Sequence, residues 1–387
     1  MPWRTMSRVV DAANRITIAP IDSPIDSKTP LMAMSHPANV TPPGRRDDTP
    51  ASLRSPEGGT SRARRARRLP SPPVEVITGI GSLPLPEGPR VATVGFFDGV
   101  HRGHREVLGT VVSRARDRGV RSVAITFDRH PREVLSPGSE PRLLTSVDRK
   151  AELVASTGID ELVVLAFDRD FSLIPAANFV RDVLVDGVHA VHAAMGANFT
   201  FGFRALGTMG NLPVLGAPFG LSVETVGLVE VGGKVVSSSS VREALAGGDL
   251  GWPEMALGRR FVLDGEVVTG HGRGRGLGYP TANLRTGPRL FLPGQGIYAG
   301  IAEHGGRRYR AAIDCGTNPT FGVEPLHVEA FLLGFEGDLP GEPLSIEFWA
   351  RLRDEIRYDS SDGLIAAIEA DVVRTQELVP GDALGES

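Results

Sequence analysis

Between residue 90 and about residue 249, short apolar runs alternate with segments whose apolar residues recur at helical spacing. The pattern predicts strands at 90–96, 122–127, 161–167 and 190–195, with helices at 103–118, 147–157 and 177–186 between them, and Gly119 as a C-cap. Parallel strands need crossover connections, so this order implies an α/β fold: a Rossmann-like domain with a parallel sheet covered by helices. Ligands of such sheets bind at the carboxyl ends of the strands.

After Gly258 the texture changes to short β-rich runs broken by Gly and Pro, at 261–268, 296–303, 309–314, 327–333 and 344–352. Gly305 and Gly306 sit where a hairpin turn is expected, and the set predicts a small antiparallel β-barrel. Leu364, Ile365, Ile368, Val372 and Val373 then recur at helical spacing behind the N-cap candidates Ser360, Ser361 and Asp362, predicting a C-terminal helix packed on the barrel. Residues 1–75 are rich in Pro, Ser and Arg with little apolar periodicity, and are expected to be a disordered tail. Its Arg62, Arg64, Arg65, Arg67 and Arg68 read as a solvated basic run, with contact to RNA or a membrane surface as the alternative. The domains are therefore expected at 76–250 and 256–380.

A length of 387 residues accommodates two domains and two sites. The net charge of −4 offers no overall attraction to nucleic acid, and no apolar run reaches the ~20 residues that span a bilayer. One cysteine, Cys315, excludes a disulfide framework and a cysteine-based zinc site, and no signal-peptide pattern opens the chain. Small-molecule chemistry in the cytoplasm is the expectation, without nucleic-acid or membrane partners and with a homo-oligomer left open.

The strand ending at Val94 runs into Gly95-Phe96-Phe97-Asp98-Gly99-Val100-His101-Arg102-Gly103-His104, ahead of a helix. Glycines admit an anion to the backbone, and a helix N-terminus presents free N–H groups. His101 and His104 share a helix face and can donate to phosphate; a metal pair or an inert surface pair are the alternatives. Farther on, Gly270-His271-Gly272-Arg273-Gly274-Arg275-Gly276-Leu277-Gly278 is a Gly/Arg loop suited to a polyphosphate or to a plain linker. It forms neither a Walker loop nor GxGxxG, and the only Gly-Lys, Gly233-Lys234, is followed by Val235.

The first string resembles the HxGH signature of nucleotidyltransferases in its FAD synthetase form. Thr126-Phe127-Asp128-Arg129-His130-Pro131, Gly196-Ala197-Asn198-Phe199-Thr200-Phe201-Gly202 and Ser237-Ser238-Ser239-Ser240-Val241-Arg242 resemble further segments of that family, in order. Tyr279-Pro280-Thr281-Ala282-Asn283 resembles the PTAN motif of riboflavin kinases, and Asp314-Cys315-Gly316-Thr317-Asn318-Pro319-Thr320-Phe321 and His327-Val328-Glu329-Ala330-Phe331 resemble downstream segments. Together they resemble the bacterial bifunctional riboflavin kinase/FMN adenylyltransferase family.

The resemblance implies ATP-dependent phosphorylation of riboflavin to FMN by the C-terminal half and adenylylation of FMN to FAD by the N-terminal half, with Mg²⁺. Gly95, Phe96, Phe97, Asp98, Gly99, Gly103, Asn198 and Ser239 would then bind nucleotide, with His101, His104 and Arg242 stabilising phosphate charge. In the second half Gly272, Arg273, Gly274, Gly278, Pro280, Thr281 and Asn283 would bind nucleotide. Thr281 and Asn283 would hold Mg²⁺, Glu329 would be the general base and Arg353 would contact flavin. On the residues alone, Glu329 on an alternating strand equally suits a solvent-facing position. The chain departs from the common family pattern at Arg129, Asn198, Ser239, Ser240, Gly334 and Pro340. Adenylyltransferase activity alone, or a non-enzymatic flavin-binding module, are the competing functional readings.

Overall fold

The computed structural model describes residues 15–18, 74–78, 83–270, 274, 278–317 and 326–385. Its first lobe is a seven-stranded sheet of β1 (Arg15–Ile18), β2 (Val74–Thr78), β3 (Arg90–Val94), β4 (Arg121–Phe127), β5 (Glu161–Leu165), β6 (Ala190–Gly196) and β7 (Ser222–Val226). The spatial order is β1-β2-β5-β4-β3-β6-β7, parallel throughout except where β1 runs antiparallel to β2. Every residue of β3 and β5 is buried, as expected for strands covered on both faces.

One face is covered by α1 (Arg102–Arg118) and α2 (Val147–Ala155), whose Val107, Leu108, Val111 and Val154 pack on Val91, Leu162 and Val164. On the other face Phe179, Val180, Val183 and Leu184 pack on Ala92, Val94 and Ile125. The helix expected there is partly a π-helix, over Phe179–Val185, with Asp186 N donating to Arg181 O at 2.8 Å. Those apolar positions suit either helical period, so spacing alone does not separate the two.

Two expectations need correction. The stretch 1–75 is not uniformly without structure, because Arg15–Ile18 is a strand paired with β2. Arg-Ile-Thr-Ile is too short for a periodicity signal, and its strand state depends on a partner far along the chain. The rest of the tail before Val74, including the arginine run, lies outside the described residues. Strand β7 was also not anticipated; its buried residue is Val226 alone, so it lacks an alternating apolar pattern.

At the amino end of the sheet Glu161 accepts from Arg90 at 2.6 Å and Arg121 at 2.8 Å, closing that edge with charges. The carboxyl end is open. After β3 the chain moves outward to β4 and β5, then crosses back to set β6 on the other side of β3, so the loops after β3 and β6 diverge at a topological switch point.

Next, α3 (Ser238–Ala246) and α4 (Gly251–Leu257) lead into a closed antiparallel barrel. It is made of β8 (Val262–Val268), β9 (Ala282–Thr286), β10 (Gly296–His304), β11 (Arg307–Gly316), β12 (His327–Leu332) and β13 (Pro343–Arg353), in the order β8-β9-β12-β11-β10-β13. Gly305 and Gly306 turn the β10–β11 hairpin at φ 57° and 78°, the positive values a tight turn needs. The sequence reading missed β9, whose first two residues, Ala282 and Asn283, close the motif that begins before it at Tyr279; Ala282 and Leu284 point into the barrel core.

The final helix, α5 (Ser361–Leu378), is capped by Ser360 Oγ, which accepts from Gly363 N at 3.2 Å. It packs on β10, β11 and β13 as expected, yet its buried residues are Asp371 and Thr375, and Val373 of the anticipated apolar stripe is 54% exposed. Asp371 is drawn in by Arg353 of β13, whose Nη2 donates to it at 2.6 Å.

Candidate functional site

The loop leaving β3 is built from strained backbone. Phe97 and Val100 have φ of 52° and 39°, values that a β-branched or aromatic residue holds only when its surroundings impose them. Those surroundings are polar and specific. Asp98 Oδ1 accepts from Leu144 N at 2.9 Å and Thr145 N at 3.3 Å, while Arg242 Nη1 donates to Oδ2 at 2.7 Å. Gly99 N donates to Thr145 Oγ1 at 3.2 Å, and Ser238 Oγ to Asp98 O at 2.9 Å. Gly99 has φ 76° and a Cβ there would sit 2.8 Å from the Leu144 side chain, so any other residue would be strained and would push Leu144 aside.

His101 follows as the N-cap of α1, its Nδ1 accepting from His104 N at 3.3 Å. The two imidazoles stack with centroids 3.6 Å apart, and His104 meets the Phe97 ring edge-on at 5.4 Å. The loop, the start of α1, the end of β6 and the start of α3 enclose a cleft of about 310 Å³ whose walls carry His101, His104, His130, Asn198, Ser239 and Arg242. The first and third motifs thus meet at the switch point, joined by the α3 segment. Phe96, Phe97 and Gly103 line the same cleft; Gly95, just behind, donates its N–H to Ile125 O.

Asp98 also lines the cleft, but its carboxylate is committed to Arg242 and two amides and is 4% exposed. Its part is to hold the loop and the guanidinium. Ser240, where the family pattern differs, forms a reciprocal capping box with Ser237 at the start of α3: Ser240 N donates to Ser237 Oγ at 3.1 Å, and Ser237 N to Ser240 Oγ at 3.0 Å.

The cleft histidines are held neutral. Burial, with help from Arg259 and Arg242, pushes the His101 pKa down to about 4, and burial with the charge of Arg242 does the same to His130, also about 4. His104 is driven well below the ordinary imidazole value by burial, His101 and Lys150, and its Nδ1 is enclosed without a hydrogen-bond partner. Lys150 was missed by the sequence reading. It is 2% exposed, lies 4.0 Å over the Phe96 ring, and burial lowers its pKa to about 8. The available signal was a lysine on the apolar face of α2, beside Ala151 and Val154.

A second constellation lies on the outer face of the barrel. Antiparallel register places Asn283 of β9 opposite Glu329 of β12, Glu329 opposite Asp314 of β11, Asp314 opposite Ile297 of β10, and Ile297 opposite Arg353 of β13. Cross-strand partners share a face, so one row gathers residues separated by up to 70 positions. Val328, Ala330 and Leu332 point into the barrel, leaving Glu329 on the outside. There it is not simply solvated: Thr281 Oγ1 donates to Glu329 Oε2 at 2.8 Å, and His327 Nε2 lies 3.3 Å from Oε1.

Gly270, at the start of the Gly-rich segment, approaches this row closely; a Cβ on it would collide with the Asn283 amide. Gly274 O accepts from Tyr279 N at 2.8 Å, and Gly278 (φ 87°) and Pro280 are exposed. Gly272, Arg273 and the segment 318–321 lie outside the described residues. The Arg353 guanidinium is engaged by Asp371 and the Asp354 carbonyl. Asp314 was quoted in a motif but given no role, and it is the most perturbed acid of the row: burial, then Glu355 and Glu329, raise its pKa to about 7, and its Oδ1 has no hydrogen-bond partner.

A raised carboxyl pKa favours the folded state at low pH, and the benefit is lost as pH climbs from the unfolded value of 3.8 through about 7. Asp314→Asn removes this penalty. Its stability relative to the parent is expected to rise between about pH 4 and about pH 8, by roughly 4 kcal/mol at most at 1.36 kcal/mol per pK unit, read as a growing difference in melting temperature. A constant difference across that range would show that Asp314 titrates normally.

Among the described residues no group of three or more His, Cys, Asp or Glu is placed to hold a metal ion, and no helix is long and apolar enough to cross a membrane. Residues 85–240 match the FAD synthetase family model and residues 257–379 the riboflavin kinase family model. The chain is 36% identical over 311 residues to the bifunctional riboflavin kinase/FMN adenylyltransferase of Pseudomonas fluorescens, covering 80% of this chain and 99% of that one. It is 33% identical to the protein of the same description from Escherichia coli K12, over 79% of this chain and 97% of that one, and 33% identical to that of Bacillus subtilis, over 73% and 90%. A crystal structure of a Streptococcus pneumoniae protein described as a macrolide-efflux protein superposes with a TM-score of 0.71 at 29% identity, over 79% of this chain and 99% of that one.

Proposed function

The chain belongs to the bifunctional riboflavin kinase/FMN adenylyltransferase family, and from that premise we propose which of its residues carry each reaction. It phosphorylates riboflavin to FMN and adenylylates FMN to FAD, with ATP as co-substrate of both steps.

Adenylylation is assigned to residues 76–250 and to the cleft at the switch point. The observation that carries this is the convergence of His101, His104, Asn198, Ser239 and Arg242 with the N-termini of α1 and α3 on a single cavity. An FMN phosphate oxygen attacks the α-phosphorus of ATP and pyrophosphate departs. Such a displacement needs positioned donors more than a protein nucleophile. The neutral imidazoles donate N–H groups to phosphate oxygens, the two helix ends add free amides, and Arg242, aimed by Asp98, faces the leaving pyrophosphate.

Phosphorylation is assigned to residues 256–380. Glu329, held by the Thr281 hydroxyl, takes the proton of the riboflavin 5′-hydroxyl as its oxygen attacks the γ-phosphorus, and ADP leaves. The Thr281 hydroxyl and the Asn283 amide oxygen, both beside Glu329 on one face, are hard oxygen donors of the kind Mg²⁺ takes together with ATP phosphates. When bound, the ion would neutralise phosphate charge. Gly272, Arg273, Gly274, Gly278 and Pro280 are assigned to ATP and Arg353, through its backbone or after leaving Asp371, to flavin. A cytoplasmic location accords with the need for ATP.

The test is to incubate the protein with riboflavin, ATP and Mg²⁺ and resolve the flavins by chromatography. FAD is expected, through FMN. Riboflavin left unchanged, with FAD made only from supplied FMN, would overturn the kinase assignment. Thr281→Ala is expected to raise the Mg²⁺ concentration needed for half-maximal phosphorylation without altering the Mg²⁺ dependence of adenylylation.

A further inference from the structure

The segment joining α4 to β8 reaches back into the first site. Arg259 lies two residues past the end of α4, inside the stretch matched to riboflavin kinases, yet its Nη2 donates to Gly99 O at 2.8 Å and its Nη1 to Leu257 O at 3.4 Å. Gly99 is the residue whose positive φ lets the strained loop turn from Phe97 to His101. The guanidinium is in unfavourable company: burial and the neighbouring Arg105 and Arg149 lower its pKa to about 9, with Asp264 the opposing charge. Its hydrogen bonds among the described residues go to backbone carbonyls, not to a carboxylate.

The opposite side of the loop is held from the barrel lobe as well. Leu143 N donates to Arg289 O at 2.7 Å and Phe291 N to Leu143 O at 2.8 Å, so the segment before β10 pairs with residue 143. The next two residues, Leu144 and Thr145, supply the amides that bind Asp98, and Asp98 holds Arg242. Arg149 of α2 adds a third link, to Asp264 of β8 at 2.5 Å and 3.0 Å. The Asp98–Gly99 turn is thus clamped between two elements whose other ends belong to the kinase half.

We propose that Arg259 is a positioning residue for adenylylation: the kinase half fixes the Gly99 carbonyl through its guanidinium, and so sets the direction in which His101 and His104 face the nucleotide. The link also has an electrostatic side, since Arg259 is the charged group contributing most to keeping His101 neutral. It rests on the assignment of the 95–104 loop as the adenylylation centre.

Arg259→Met and Arg259→Lys are to be compared with the parent and with His104→Ala, in the full-length protein, for both activities. For Arg259→Met the kcat of FAD formation from FMN is expected to fall by about 10- to 100-fold, the cost of a displacement on the order of an ångström, with riboflavin phosphorylation unchanged within about twofold. The acid limb of the adenylylation pH profile should move up in Arg259→Met, as His101 loses the nearby cation, and stay in place in Arg259→Lys, which keeps the charge with a poorer fork of donors and an intermediate rate. Adenylylation within about threefold of the parent in both variants, or parallel loss of both activities with a lowered melting temperature, overturns the proposal. If His104→Ala itself retains full FAD synthesis, the site assignment fails instead. Should Arg259→Met not fold, the Lys variant alone decides, by a rate loss confined to adenylylation or its absence.

Discussion

Glu329→Gln is expected to reduce kcat for riboflavin phosphorylation by about 10²- to 10⁴-fold, or roughly 3–5 kcal/mol of barrier, while FAD formation from supplied FMN keeps its parent rate. The amide retains an oxygen that accepts from Thr281 Oγ1, now 2.8 Å from the carboxylate, so the site keeps its shape and loses only its proton acceptor. A general base acts in the transition state, so the riboflavin KM should move little while kcat collapses. Single-turnover phosphorylation monitored by conversion of riboflavin to FMN measures this directly. A loss of less than about threefold would mean that another group takes the proton, and Asp314, opposite Glu329 in the strand register, would be the first residue to test.

The other large effect is expected in the first site. His104→Ala should slow adenylylation by about 10²- to 10³-fold, the usual cost of deleting one preorganised donor to developing phosphate charge, so that riboflavin and ATP give accumulating FMN with little FAD. The imidazole is clamped between the His101 ring and the edge of Phe97, so it reaches the reaction with no conformational freedom to lose. Both rings are already neutral near neutrality, because burial and nearby cations depress their pKa values. The imidazole NMR shifts of His101 and His104 should therefore stay constant from about pH 6 to about pH 8, and a titration midpoint near pH 6.5 would show that an imidazole titrates at its ordinary value and that burial is not what sets its state.

The periodic parts of the chain were legible without coordinates. Helix α1 and its Gly119 cap follow from apolar residues on one face, and the β10–β11 hairpin from two adjacent glycines. Strands β1 and β9 were not legible, because Arg-Ile-Thr-Ile and Ala-Asn-Leu-Arg-Thr hold only two apolar residues each, unlike the continuous apolar run of the equally short β5, and each is fixed by its pairing partner. The helix α5 was placed correctly, yet its buried contact is Asp371 with Arg353, an ion pair that no hydrophobic stripe announces.

For the sites, sequence by itself determined residue types and order: the His101–His104 loop, the Asn198 and Ser239–Arg242 segments, and the Thr281, Asn283 and Glu329 motifs in their two halves. Such motifs are visible because a turn of the kind suited to phosphate is made by consecutive residues. Which groups line the cleft and share the barrel row was decided only by tertiary structure, through crossing strands and register, both non-local. Folding turned Asp98 inward to hold Arg242, gathered Asn283, Glu329 and Asp314 into one row, buried Lys150 over the Phe96 ring, and brought Arg259 of one half against Gly99 of the other. A carboxylate, a lysine or an arginine has the same chemistry anywhere in a chain; its neighbours and its access to water set its charge and its task, and those are fixed when distant segments pack.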